Sequence, residues 1–374
     1  MKSYVFLAPI DSFGGLEMQL VRRAYDARVR GYSASVVCIK GTSVEHYARS
    51  LSVPVDYLRI TIKYADIFAA IRLGAILRHR RADVCVVSKT DHLSIAIFAR
   101  NHFMPNTAVV FYQQMQSGIR KIDPFHNWVY KNIDSAIVLT NIMKKELTES
   151  TIFPDSKIGI IPCGIETANF ISENYNKAEA RSSFGLPADK FIFGNVAKIC
   201  QHKDQTGAVE AFALAGIENS LLVIAGGVDK DAHDYHRHLL DLPSHFGVKD
   251  KVVFLPFTNQ VGKLMNCFDA FVFPSRSETF GLVIVEAMAA GLAVIATDCG
   301  GVPEIISHGT NGLLFRQEYY RELARLMKAL ADDGSLRSRL GSQAKRDSIA
   351  RYEYKAQSEK FFEFCDQAVK ERNL

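Results

Sequence analysis

The sequence predicts an α/β protein of two doubly wound domains, each a parallel sheet flanked by helices, and three observations carry that prediction. Short apolar runs of strand length alternate with stretches of helical periodicity along the chain. Turns from strand to helix carry glycine pairs, as at Gly14-Gly15 and Gly226-Gly227, the mark of strand, loop, helix, strand units. A polar stretch at residues 171–190 separates two such series, and 374 residues are enough for two or three domains. The expected domains are residues 1–170 with 350–374, and residues 171–349.

In order, residues 4–9 read as a first buried strand, and Asp11 to Gly15 as a turn. A helix follows, with Leu16, Leu20, Ala24 and Ala27 on one face, closing at Gly31 before a strand at 33–39. Gly14-Gly15 is too short for the dinucleotide fingerprint, which removes the best support for a dehydrogenase. Residues 67–77 are helical and end in Arg78-His79-Arg80-Arg81, cations that offset a helix dipole or meet anionic lipid headgroups. Strands at 84–87, 107–112, 135–139 and 157–162 complete the first series, and the third delivers its chain to Thr140, a cap for the helix 142–147. The strand 107–112 delivers Gln113-Gln114 to its C-terminal end.

The second series opens with a strand at 191–197. The loop after it carries Lys198 and Lys203, two cations spaced to converge on one dianion, and leads to a helix bearing Val209, Phe212 and Ala213. Strands at 221–225 and 251–255 follow, the latter delivering Phe257 and Thr258 to its C-terminal end. Residues 269–273 are a further strand, and 282–290 a helix stopped by Gly291. Between them the loop holds Glu278, and the helix itself holds Glu286. The helix start at Thr279, Phe280, Gly281 and Leu282 would turn free amides to the crevice above the strand ends, a place suited to anions. Two carboxylates beside an anion site repel a bare phosphate. A sugar nucleotide reconciles them, with its diphosphate on the amides and its sugar hydroxyls on Glu278 and Glu286. A helix-start charge at Glu278 and a solvated Glu286 are the plain alternative.

Pro274-Ser275, Glu278, Phe280-Gly281-Leu282, the run from Glu286 to Gly291, Gly300-Gly301-Val-Pro-Glu304 and Asn311-Gly312-Leu-Leu-Phe315 together resemble the signature of the GT-B glycosyltransferases of family four. The resemblance is sharp from about 191 to 315. It implies the GT-B fold, two Rossmann-like domains facing a cleft, with a C-terminal helix returning to the first domain. It implies retaining, metal-independent transfer of a sugar from a nucleotide sugar, a UDP-sugar ahead of a GDP-sugar, to an acceptor hydroxyl. Glu278 would contact the donor sugar and Glu286 the ribose, while Lys198 and Lys203 bind the diphosphate. Gly14 and Gly15 would let the backbone approach that diphosphate from the acceptor-side domain. Where many members carry a histidine near the transfer centre, this chain has Gln113, which binds a hydroxyl but cannot act as a base; His126 is the nearest downstream histidine. Cys163 and Glu166 stand where the family usually has Asn and Asp, in a segment read as a domain connection. A nucleotide-sugar epimerase or hydrolase, or a non-catalytic binding module, would use similar donor contacts.

Asp229-Lys-Asp231, with His233, His236 and His238 nearby, looks like the metal motif of a different glycosyltransferase fold, but reads better as an exposed helix start. No metal or cofactor is therefore expected. Composition is that of a globular enzyme, 48% hydrophobic and 23% charged. Seven cysteines without a Cys-x-x-Cys read as buried free thiols of a reducing cytoplasm. The start suits a buried strand better than a signal peptide, and no run approaches a membrane span. The net charge of +5 is uneven, with 21 Lys/Arg against 14 Asp/Glu in residues 1–170. A basic half of that kind suits an anionic membrane surface or an acidic acceptor; no nucleic-acid signature accompanies it. The expectation is a cytoplasmic enzyme, peripheral on the inner face of the membrane, acting on a glycan or lipid-linked acceptor of a bacterial envelope.

Overall fold

The computed structural model describes residues 1–11, 14–116, 118–171 and 175–372. The chain divides into two compact units, Met1–Cys163 with Lys355–Leu374, and Gly164–Tyr354. The division falls a few residues from the boundaries expected at 170 and 350. Residues after Cys163 already bond within the second unit: Ile165 bridges Glu353, and Asn266 Nδ2 donates to the Phe170 carbonyl over 3.2 Å.

Among the described residues, the first unit holds β1 (Ser3–Ala8), β2 (Ser33–Cys38), β3 (Val55–Tyr57), β4 (Val84–Val87), β5 (Ala108–Tyr112), β6 (Ser135–Val138) and β7 (Ile158–Ile160). They form one sheet in the order β3-β2-β1-β4-β5-β6-β7, and every pairing is parallel. Parallel strands covered on both faces need apolar side chains on both, and β1 supplies them, with Tyr4, Val5, Phe6 and Leu7 fully buried. The order reverses between β1 and β4, so the loops leaving those two strands diverge and open a crevice.

The C-terminal helix Tyr354–Arg372 packs on this unit. Phe362 meets Tyr4 edge-on at 5.3 Å, Phe361 meets Tyr112 at 5.3 Å, and Asp366 accepts from the Tyr4 hydroxyl over 2.8 Å. Sequence periodicity missed several elements here, β3 and the helix Leu93–Phe103 among them. β3 is a short edge strand with half-buried side chains, and the helix Leu93–Phe103 is apolar nearly all round, so neither shows a clean period.

The second unit holds β8 (Phe191–Val196), β9 (Ser220–Ala225), β10 (Val252–Leu255), β11 (Ala270–Phe273), β12 (Ala293–Thr297) and β13 (Leu313–Phe315). Their order is β10-β9-β8-β11-β12-β13, again parallel throughout, with the reversal between β8 and β11. One core face packs Phe193, Leu222, Val272 and Ile295 under the helices Gln205–Ala215 and Tyr320–Asp332. All seven cysteines are free thiols, and Cys38, Cys85, Cys163, Cys267 and Cys365 are buried. No helix among the described residues is long and apolar enough to cross a membrane.

Candidate active site

Both lysines leave β8 and both glutamates follow β11, so the sheet order alone sets the two loops side by side at the switch point of the second unit. Lys203 ends a short 3-10 turn, Gln201–Lys203, and its Nζ lies 2.6 Å from Glu278 Oε2. Both side chains are largely removed from water, at 25% and 16% exposed. Loop is tied to loop by backbone as well: the Arg276 amide donates to the His202 carbonyl over 2.8 Å, and Ser275 Oγ donates to the same carbonyl over 3.1 Å. Asp204, buried beneath Lys203, accepts from the Tyr320 hydroxyl (2.7 Å) and from Arg276 Nη2 (3.2 Å). The cation is thus held at the end of a braced loop rather than on a free tether.

Gly300-Gly301 explains its place in the motif. The Gly301 amide donates to the Glu278 carbonyl over 3.0 Å, and a Cβ on Gly300 would stand 1.9 Å from that same oxygen. Gly300 also has φ +51°, a conformation other residues adopt only at a cost. The pair is a cradle for the Glu278 backbone.

The helix carrying Glu286, Leu282–Ala289, is capped by Gly281 at φ 94° with no side-chain cap. Of the four residues expected to offer amides, Thr279 does not have a free one: it donates to Glu278 Oε1 over 3.2 Å. The amides of Phe280, Gly281 and Leu282 have no protein acceptor among the described residues. Phe280 can offer only its amide, because its ring is buried edge-on against Tyr352 at 5.7 Å. Glu286 is half-buried on that helix.

Lys198 has a different partner from Lys203. Its ammonium points to Asp229 at 3.5 Å and not to the carboxylate that holds Lys203. The reason is local: Ile199 bridges Val228, and the Asp229 amide donates to the Ile199 carbonyl over 3.1 Å, so the two loops run together. Asp229 is therefore the counter-ion of Lys198, and Asp231 is exposed. Among the described residues no group of three or more His, Cys, Asp or Glu side chains is placed to hold a metal ion. Phe257, beyond β10, is 75% exposed.

The first unit has its own candidate site. At its switch point lies a cavity of about 300 Å³ lined by Ile10 and Glu17, by Ser88 to Asp91 after β4, and by Gln113 to Gln116 after β5. Gln113 and Gln114 are both buried, and Gln113 Oε1 and Gln114 Nε2 have no partner among the described residues. Two buried amide side chains with unspent hydrogen-bonding capacity in the wall of this cavity suit a ligand that brings hydroxyls. Gly14 caps the helix Gly15–Val29, whose first turn carries Glu17; Ser12 and Phe13 of the expected turn lie outside the described residues. His126 does not line this cavity. It sits on the helix Pro124–Lys131, bonded to Asp123 and packed edge-on against Tyr64 at 5.8 Å. Lys89 and Asp91 escaped sequence reading because each is one charge in an ordinary polar turn, and Glu17 because an acid in the first turn of a helix is commonplace. The only available signal was their position just after a strand that flanks a switch point.

Two doubly wound parallel sheets, the second with a braced cation–carboxylate pair at its switch point, define the class as GT-B. A solved Anabaena protein in complex with UDP superposes with a TM-score of 0.86 at 20% identity, covering 98% of this chain and all of that one. A glycosyltransferase from Rickettsia africae does so with 0.88 at 17% identity, covering 99% of each. Residues 176–347 match the family described as glycosyl transferases group 1. An uncharacterized glycosyltransferase of Methanocaldococcus jannaschii is 32% identical over 223 residues, 58% of this chain and 56% of that relative. A D-inositol 3-phosphate glycosyltransferase of Stackebrandtia nassauensis is 32% identical over 207 residues, 53% of this chain and 46% of the relative. The aligned regions span about half the length of these curated relatives.

Proposed function

We propose that this protein transfers a sugar, with retention and without a metal, from a nucleotide sugar to an acceptor hydroxyl. The observation that carries the proposal is the Lys203–Glu278 pair, braced from both loops at the switch point of the second unit. A cation beside a carboxylate matches a donor that presents a diphosphate and a sugar ring together. The barrier is departure of the nucleoside diphosphate, with negative charge growing on the leaving oxygen. Lys203, Lys198 and the amides of Phe280, Gly281 and Leu282 would oppose that charge, and one preorganised donor of this kind is worth ~3 kcal/mol. Glu278 would hold the sugar as positive charge develops on its ring, and Glu286 the ribose. Gln113, in the cavity of the first unit, would hydrogen-bond a sugar hydroxyl, and no side chain is assigned as the base. A uridine nucleotide is favoured by the UDP bound to the Anabaena protein of the same fold. The free thiols support a reducing cytoplasm, and a glycan or lipid-linked envelope acceptor is the substrate class we favour.

The test is a thermal-shift screen of nucleotide sugars followed by turnover in EDTA. A UDP-sugar should raise the melting temperature with the logarithm of its excess, and sugar transfer should persist without divalent ions. Release of free sugar or an epimer with no acceptor present would replace transfer by hydrolysis or epimerisation. Activity lost in EDTA and restored by Mg²⁺ or Mn²⁺ would overturn the metal-free mechanism.

A further inference from the structure

Apolar side chains on the surface of the first unit are concentrated where two segments distant in sequence meet. The first segment runs through the loop before the helix Ile67–Arg80 and along that helix. Ile62 is 59% exposed, Phe68 86% and Ile71 46%. Ala69, Ala70, Leu73 and Leu77 of the same helix are buried, so Phe68 and Ile71 occupy its outward face. The second segment is the helix Pro124–Lys131 and the residues before it, where Ile122, Phe125 and Trp128 are each about two-fifths exposed (45%, 39% and 41%). Tyr64 joins the two, its ring 5.8 Å from that of Phe125, which in turn lies 6.2 Å from Trp128.

The junction is built, not incidental. Tyr64 holds φ +65°, uncommon for an aromatic residue, while its carbonyl accepts from Ser94 Oγ over 2.6 Å. Asp66 caps the helix through the Ala69 amide and also accepts from the Thr61 amide and hydroxyl, which pins the loop that presents Ile62.

Charge around this ridge is mainly positive. Residues 58–81 and 115–131 together contain nine lysines and arginines against two aspartates. Lys63, Arg72, Arg78 and Arg120 are exposed. Asp66 is buried in its capping role, and Asp123 is engaged by His126. Arg80, singled out from the sequence as part of a basic cluster, is spent on a two-bond pair with Asp56, and Arg72 and Arg78 carry the exposed charge of the helix. Exposed apolar and aromatic side chains gathered in this way mark an interaction surface. Apolar and aromatic side chains rimmed by cations match the boundary between headgroups and acyl chains of an anionic bilayer.

We propose that this ridge docks the protein on an anionic membrane surface, with Phe68, Ile71 and Trp128 entering the headgroup layer and the cations pairing with lipid phosphates. The ridge borders the cavity of the first unit through Asp91, which lines that cavity and pairs with Lys63 of the ridge at 3.4 Å. An acceptor carried by a lipid would then enter from the membrane side. That last step rests on the proposed function; the docking itself does not.

Trp128 is the chain's single tryptophan, so its fluorescence reports this surface alone. Mixed with phosphatidylglycerol/phosphatidylcholine vesicles, the full chain should bind with a blue shift of Trp128 emission, and bind pure phosphatidylcholine at least tenfold more weakly. Phe68→Ser/Ile71→Ser should weaken anionic vesicle binding at least tenfold while leaving the melting temperature and UDP affinity unchanged. Three results would overturn the proposal: no vesicle binding, vesicle binding with Trp128 emission unshifted and the double variant unimpaired, or a concentration-dependent dimer abolished by the double variant in a chain that ignores vesicles. Vesicle binding of the expected kind in a chain that turns over no nucleotide sugar upholds the docking and removes the functional reading alone.

Discussion

Neutralising Glu278 should tighten the binding of free nucleoside diphosphate while impairing transfer, because this carboxylate competes for the cation that the diphosphate needs. Lys203 Nζ and Glu278 Oε2 are 2.6 Å apart and mostly shielded from water. The gross attraction at that distance is about 6 kcal/mol with an effective dielectric constant of about 20. Solvation lost by both groups reduces the net value for a partly exposed pair to roughly 1–2 kcal/mol. An incoming diphosphate must take Lys203 from that pair or share it, and also meets the negative charge of Glu278. Glu278→Gln keeps the shape and removes both penalties. If about 1 kcal/mol is recovered, the Kd for UDP falls roughly fivefold. UDP carries no sugar for Glu278 to hold, so nothing offsets the gain. With the full donor, the same change should lower kcat by about 10²-fold or more, since the carboxylate acts on charge that exists only in the transition state. Lys203→Met should move UDP the other way, weakening it by ~1.5–3 kcal/mol for a lost charged hydrogen bond. Titration calorimetry with UDP and steady-state rates with donor measure all three. Weakening of UDP by Glu278→Gln to the extent seen in Lys203→Met would refute the reasoning, because Glu278 would then be holding the nucleotide.

Glu286→Ala should mainly raise the donor KM, by a factor equivalent to ~1.5–3 kcal/mol, because a ribose contact is equal in ground and transition states; a larger kcat loss than in Glu278→Gln would reverse the two assignments. Gly300→Ala should destabilise the protein by at least about 1–2 kcal/mol from its left-handed conformation alone, with further loss of donor affinity as the Cβ, 1.9 Å from the Glu278 carbonyl, displaces that residue; thermal melts and donor titrations report the two effects separately. Burial, then the neighbouring Lys89, hold the His92 imidazole neutral down to about 4. The unfolded chain takes up a proton as pH falls through about 6.5, whereas the folded chain does not until about 4, so stability is lost progressively across that window, on the order of 3 kcal/mol in all. His92→Gln should flatten the fall in melting temperature between pH 6.5 and 4, and an unchanged slope would assign the loss to other groups.

The alternation of strands and helices, the two parallel series and the spacing of Glu278 and Glu286 were legible in the sequence, because each is a local pattern of period or distance along the chain. So was the contrast between Gln113 and a histidine. Partners across the sheet were not legible. Lys198 and Lys203 look equivalent five residues apart, yet one pairs with Glu278 after β11 and the other with Asp229 after β9. The choice depends on β8 lying between those two strands, and strand order is a property of the crossovers, not of any window of residues. Phe280 keeps its amide at the helix start while its ring packs in the core, because Tyr352 approaches it from 72 positions away. Ile62, Phe68 and Trp128 are unremarkable hydrophobes in sequence. Only the meeting of their segments at Tyr64, with the core already filled by other side chains, leaves them together on the surface. Local pattern determines which elements form and which loops carry charge; the topology of the sheets decides which of those charges meet.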